Sequence, residues 1–263
     1  MKNPLTPKWL ETASDLSALD ARIWPRTAGR TERGEISIGS IPASELVRQF
    51  GTPLYVVDQE DFEARLMMAK RAFSDAASKI GTTAKTYYAS KALLTTDVVR
   101  WVDQADLSID VSTGGELAVA LAAGIDGSRI GMHGNNKSLV EIGRAVSANV
   151  GAIVIDSELE IERIASIAGA QDKIQPVRLR VNTGVHAHTH EYLATAREDQ
   201  KFGIALVDVE EMVEKIRSHS HLKFLGLHSH IGSQIFVVDG FLAAAERLLD
   251  VHAKLLINGA VPE

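Results

Sequence analysis

The feature of this sequence that most constrains its fold is a recurrence of polar residues where apolar, β-prone runs end. Lys91, Asp110, His133, Asp156 and Asn182 close successive runs at intervals of 19 to 26 residues. One strand and one helix fill such an interval. Strand-like runs are expected at 54–58, 86–90, 107–111, 129–133, 152–157, 177–182 and 224–230. Amphipathic stretches at 61–77, 116–123, 140–148, 158–168, 209–218 and 240–257 read as helices. Unbroken apolar strands alternating with helices predict parallel strands covered by those helices. A doubly wound open sheet shares the alternation, but its first strand usually leads into a glycine-rich phosphate loop. Here the run 54–58 leads into Gln59-Glu60-Asp61. The expected fold is α/β, a (β/α)8 TIM barrel whose polar strand ends gather on its functional face.

Two stretches stand outside the rhythm. Residues 1–40, punctuated by Pro4, Pro7, Pro25 and Gly29, read as an irregular leader, leaving 41–263 as the barrel portion. From Asn182 to His230 the interval is 48 residues, and its excess lies in the polar segment 183–203. A long loop at the functional face is expected to act as a lid.

Composition narrows the classes of function. The formal net charge of −6, with basic residues dispersed beside acids, leaves no stripe to neutralise phosphates, so neither nucleic acid nor a membrane surface is expected as a partner. The chain has no cysteine, which excludes disulfides, thiolate metal sites and cysteine nucleophiles within it. The first residues carry no apolar signal core, and the longest apolar run, near 117–125, is far too short to span a bilayer. A cytoplasmic protein is expected.

Chemistry concentrates at the strand ends. Lys91, closing Tyr87-Tyr88-Ala89-Ser90-Lys91, places an amine at the mouth of the fold. Desolvation there can lower a lysine pKa enough to make it a nucleophile toward an aldehyde, whereas the plainer reading is a strand-capping lysine in solvent. Asp110 ends a strand; Ser112 or Thr113 is placed to cap the next helix, with Glu116 in its first turn. His133 ends a strand and enters a polar turn in which Ser138 is placed to cap. Arg180 alternates with apolar neighbours beside Arg178 and Asn182, so it faces inward and needs a partner. In Leu227-His228-Ser229-His230-Ile231-Gly232-Ser233, a strand-end imidazole could stack on a ring while the Gly-Ser turn cradles a phosphate. Two satisfied core histidines before a turn would read the same way. The alternating His186, His188 and His190 lack any zinc-type spacing, so they are expected to touch substrate or cofactor, and no metal site is expected.

Several of these segments together resemble the fold-type III pyridoxal-phosphate-dependent decarboxylases. The resemblance is carried by Gly51-Thr52-Pro53-Leu54-Tyr55-Val56, Tyr88-Ala89-Ser90-Lys91-Ala92, Asp110-Val111-Ser112-Thr113-Gly114-Gly115-Glu116-Leu117 and His133-Gly134-Asn135-Asn136-Lys137-Ser138. It continues through Ala187-His188-Thr189-His190-Glu191, Glu198-Asp199-Gln200-Lys201-Phe202-Gly203 and Gly226-Leu227-His228-Ser229-His230-Ile231-Gly232-Ser233-Gln234. It implies an alanine-racemase-like barrel with pyridoxal 5′-phosphate as cofactor and a small amino acid as substrate. The His-Gly-Asn-Asn-Lys-Ser and Glu-Asp-Gln-Lys-Phe-Gly stretches favour members that decarboxylate meso-2,6-diaminopimelate to L-lysine over those acting on ornithine or arginine.

The same resemblance implies residue roles. Lys91 would hold the cofactor covalently and be the catalytic residue, His230 would stack on its ring, and Gly232 with Ser233 would bind its phosphate. Asp110, Glu116 and Arg180 would line the pocket, with His133 in its wall. Thr183 and His186 depart from the family pattern, both in the expected lid. The resemblance also implies that this chain is a fragment: two further barrel strands, a C-terminal β domain and a homodimer partner would complete the family's site. Another fold-type III enzyme, such as a racemase or a different diamino-acid decarboxylase, and a non-catalytic cofactor-binding barrel are the alternatives.

Overall fold

The computed structural model describes residues 17–185, 202–233 and 235–259, together with Pro7, Trp9 and Asp15. The chain divides into two compact units, Met1–Arg71 and Ala72–Glu263.

In the first unit, residues expected to be irregular pair into a small antiparallel sheet of β1 (Gly29–Arg30), β2 (Ile36–Ile38) and β3 (Ile41–Pro42). The helix α1 (Ala43–Phe50) follows directly and buries none of its residues, although Ala43, Leu46, Val47 and Phe50 recur at helical spacing. The strand expected at 54–58 does not form. Its apolar residues are exposed, Tyr55 almost completely at 98%, and a strand without a neighbour leaves its backbone groups unpaired. The helix α2 (Gln59–Lys79) begins here and ends in the second unit.

The second unit carries the expected alternation. Its strands are β4 (Tyr87–Ala89), β5 (Ser108–Val111), β6 (Ile130–Met132), β7 (Ala152–Ile155), β8 (Gln175–Asn182), the short β9 (Ile204–Ala205) and β10 (Leu222–His228). They pair only in parallel, in the order β10-β8-β7-β6-β5-β4, with β9 beside β8. The order follows the chain, as in a barrel wound in one direction, and β4 and β10 stand at its two ends. The helices α3 (Thr96–Gln104), α4 (Gly114–Ala123), α5 (Leu139–Ser147), α6 (Glu158–Ala170), α7 (Val209–Ser218) and α8 (Asp239–Ile257) alternate with the strands.

The core lies between sheet and helices. Ile109, Ile130, Met132, Ile153, Ile155 and Leu179 from the strands are fully buried with Leu117, Ile142, Ile161, Ile164 and Ile216 from the helices. Burial of such side chains stabilises by roughly 1.5–3 kcal/mol each. Strand β8 alternates cleanly: Val177, Leu179 and Val181 are buried, while Arg178, Arg180 and Asn182 are half-buried on the other face. Strand β10 contains one residue more than its neighbour requires. Phe224 pairs with Val177 but Gly226 pairs with Arg178, so Leu225 is bulged out of register.

The loops after β5 and β6 are fixed by capped helices. Thr113 accepts from the Glu116 amide at 3.2 Å, and the Glu116 carboxylate accepts from the Ser112 amide at 2.6 Å. Ser138 and Glu141 form a reciprocal capping box, and Glu141 also accepts from the Gly114 amide at 2.8 Å, tying the starts of α4 and α5 together.

Candidate active site

The polar strand ends converge as the barrel pattern requires. A cleft of about 390 Å³ opens at the C-terminal ends of the strands, lined by Lys91, Asp110, Ser112, His133, Gly134, Asn135, Val154, Arg180, Phe202, His228 and His230. Five of the residues expected there are present: Lys91, Asp110, His133, Arg180 and His230. The other three stand back. Glu116 holds the Ser112 amide from outside the lining, and Gly232 and Ser233 follow His230 in the next loop. Gly232 has a φ of +132°, a conformation that favours glycine. His186, His188 and His190 lie outside the described residues.

Lys91 sits two residues beyond β4, in a single 3-10 turn spanning Ser90–Ala92. It is exposed at the rim rather than desolvated, which corrects the expectation of a buried strand-end ammonium. Its charge still reaches inward, favouring the negative charge on Asp110 and opposing a positive charge on His133.

Asp110 and His133 are neighbours at the ends of β5 and β6. Their Oδ1 and Nε2 atoms are 3.3 Å apart, yet Oδ1 accepts no aligned hydrogen bond. Burial pushes the Asp110 carboxyl up to about 6; Lys91 works against that rise and Glu116 adds to it. Burial likewise pushes His133 down to about 4, aided by the positive charges of Lys137, Arg178, Arg180 and Lys91. His228 meets His133 edge-on and is pushed down to about 3, again chiefly by burial. Near neutral pH the cleft therefore holds two uncharged imidazoles beside a carboxyl that titrates close to its working range.

Arg180 finds the partner that an inward-facing cation requires. Its Nη1 donates to Asp156 Oδ1 at 2.8 Å, and its guanidinium lies 5.4 Å from the Phe202 ring centroid. Asp156 is expected from the sequence only as a strand end, with no place in the site. His228, Ser112, Asn135 and Phe202 also join the lining without having been expected. For His228 the signal was present, since it opens the His-Ser-His run, but alternation alone puts His228 and His230 on one face without saying which.

Residues 65–260 match the family described as pyridoxal-dependent decarboxylase, pyridoxal binding domain. The chain belongs to the pyridoxal-dependent decarboxylase family. It is 47% identical over 238 residues to the diaminopimelate decarboxylase of Mycobacterium tuberculosis, covering 90% of this chain and 52% of that protein. It is 44% identical over 257 residues to the diaminopimelate decarboxylase of Mycobacterium leprae, covering 97% of this chain and 53% of that one. Among solved structures, diaminopimelate decarboxylase from M. jannaschii in co-complex with L-lysine superposes with a TM-score of 0.79 at 26% identity, over 90% of this chain and 55% of that one. The chain spans about half the length of the curated relatives it matches.

The residues of the cleft fit the family's cofactor, pyridoxal 5′-phosphate. Four buried polar atoms, Ser90 Oγ, Asp110 Oδ1, His228 Nδ1 and Ser229 Oγ, have no hydrogen-bond partner. Asp110 and His228 line the cleft, where a polar ligand would meet them, and Ser90 and Ser229 are chain neighbours of the lining residues Lys91, His228 and His230. Leaving such atoms unsatisfied costs about 1–3 kcal/mol each, so a site built this way favours occupation. An amine at the rim and a volume within the ordinary range for small-ligand pockets complete the match. Among the described residues no cluster suited to a metal ion occurs.

Proposed function

We propose that this chain supplies the cofactor-binding half of a diaminopimelate decarboxylase, removing one carboxylate from meso-2,6-diaminopimelate to give L-lysine. The observation that carries the reading is the convergence of Lys91, Asp110, His133, Arg180 and His230 on one cleft. The 47% identity to a diaminopimelate decarboxylase supports the choice of substrate. When bound, the cofactor ring accepts the electron pair released as the bond to the departing carboxylate breaks. The chain's part is to hold and shield. Lys91 offers its amine for covalent attachment, His230 the flat face of an imidazole, and Ser233 with the Gly232 amide a phosphate cradle. Asp110 holds or releases a proton near neutral pH, while uncharged His133 and His228 form a wall that does not compete for anions. Glu116 tunes Asp110 through its charge. Residues 41–263 form the cofactor-binding portion in this reading, with 1–40 as an extension. A homodimer acting in the cytoplasm is the proposed setting, in keeping with the lack of any membrane-spanning helix among the described residues.

The test is direct. The protein is incubated with pyridoxal 5′-phosphate, reduced with borohydride and mapped by peptide mass. The expected result is a single label on Lys91, abolished in Lys91→Ala. A label on another lysine, or none on a folded sample, overturns the assignment.

A further inference from the structure

Outside the lining lies a buried charge pair that the site as described does not use. The Lys137 and Glu160 side chains are 1% and 3% exposed and their Nζ and Oε2 atoms lie 2.8 Å apart. Burying two charges is expensive, and well-packed apolar residues in their place are often as stable or more so. Stability alone therefore accounts poorly for the pair, and its contacts show what else it does. The ammonium has three protons, and three acceptors surround it: Glu160, the Gly134 carbonyl at 2.6 Å and the Val154 carbonyl at 2.7 Å. Glu160 Oε2 also accepts from the Asp156 amide at 2.9 Å, and Asp156 holds Arg180.

Gly134, Val154 and Arg180 all line the cleft, on three successive strand ends, whereas Lys137 and Glu160 do not line it. One ammonium thus fixes two wall positions through backbone carbonyls and a third through Glu160 and Asp156. The Gly134 loop is also pressed against the next one, since a Cβ on Gly134 would stand 2.9 Å from the Ser112 carbonyl oxygen. A shift at Lys137 would therefore propagate to Ser112, a further wall residue.

We propose that Lys137 and Glu160 are positioning residues that set the spacing of the β6, β7 and β8 ends around the cofactor. The proposal rests on the cofactor-binding reading of the cleft. It is tested in the full-length protein with Lys137→Met/Glu160→Gln, which removes both charges together and leaves no buried ion unpaired. The control is Ile164→Val, a core change on α6. Equilibrium dialysis of pyridoxal 5′-phosphate against cofactor-free protein gives the affinity, and thermal unfolding gives the stability. The expected result is a dissociation constant raised about 10- to 100-fold in the double variant, the range over which groups behind a ligand site tune it. Its unfolding midpoint stays near that of the parent, while the control loses stability and keeps its affinity. Unchanged affinity in the double variant overturns the proposal. If that variant does not fold, Asp156→Asn, which spares the pair but weakens the hold on Arg180, must show the same loss, and unchanged affinity there overturns it equally. A parent protein that binds no cofactor refutes the reading of the cleft first, and this proposal with it.

Discussion

His133 and His228 meet edge to face, their ring centroids 4.9 Å apart and their planes inclined at 73°. They come from the ends of β6 and β10, and a charge on His133 disfavours protonation of His228. Both are pushed far below the ordinary histidine value by burial, to about 4 and about 3. The unfolded chain binds protons at these positions below about pH 6.5, while the folded chain resists them. Stability is then highest above that value and falls as pH drops toward 3. Urea unfolding at pH 7 and pH 5 should show a lower midpoint at pH 5, and His228→Phe should shrink the difference. An equal pH dependence in the variant would count against the coupling.

Asp110 titrates in the opposite sense. Its folded value of about 6 lies above the ordinary carboxylate range, so its contribution is favourable below the unfolded value and is lost as pH rises through 6. Asp110→Asn should therefore stabilise the cofactor-free protein by about 1–3 kcal/mol at pH 8 and by little at pH 4. Denaturant titrations at the two pH values measure this. The expected accompaniment is weaker cofactor binding, because a site residue is held at a cost to the fold.

Removing Lys137 alone differs from removing the pair. Lys137→Met leaves the Glu160 carboxylate buried without its cation and should cost about 3–5 kcal/mol. Adding Glu160→Gln should restore most of that. A double-mutant cycle on unfolding free energies reads the coupling, and simple additivity would exclude it.

Gly134 adopts a φ of +102°, and a Cβ there would crowd the Ser112 carbonyl oxygen. Gly134→Ala should destabilise by about 1–3 kcal/mol, since neither the backbone conformation nor the space suits a side chain. Thermal unfolding provides the measurement, and a variant as stable as the parent would show that the loop relaxes freely.

Ser138→Ala should cost about 1 kcal/mol by removing the side-chain half of the α5 capping box. The loss should be smaller in a Glu141→Gln background, where the reciprocal bonds are already weakened. Chemical denaturation of the two single variants and the double variant checks this.

The sheet was legible because parallel strands buried on both faces read as continuous apolar runs, and Ile130, Met132, Ile153 and Ile155 are such residues. The same rule misread 54–58, since an apolar run does not reveal whether a neighbouring strand exists to pair with it. A helix-like segment is expected from Ala92 onward, and α3 starts later, at Thr96, where Thr95 caps it with a bond from the Val98 amide. Lys137 and Glu160 were illegible for a different reason. In α6 the glutamate is buried at 2% while the adjacent Leu159 is 56% exposed, the reverse of what their polarities suggest. Glu160 shares its helix face with Ile164 and Ala168, and that four-residue spacing was the available clue.

The extra residue in β10 decides which way the strand's last residues look. Because Leu225 is bulged, His228 pairs with Arg180 and shares its face, whereas an unbulged strand would set it level with Val181, on the buried face toward the helices. Pairing register within this strand is thus itself a determinant of the site, one that scanning by substitution leaves untouched. Deleting Leu225 would only straighten the strand and leave His228 opposite Arg180, whereas deleting Leu227 would bring His228 level with Leu179, on the buried face. Alignments of related chains therefore have to place any gap in this strand by pairing register before histidines are equated.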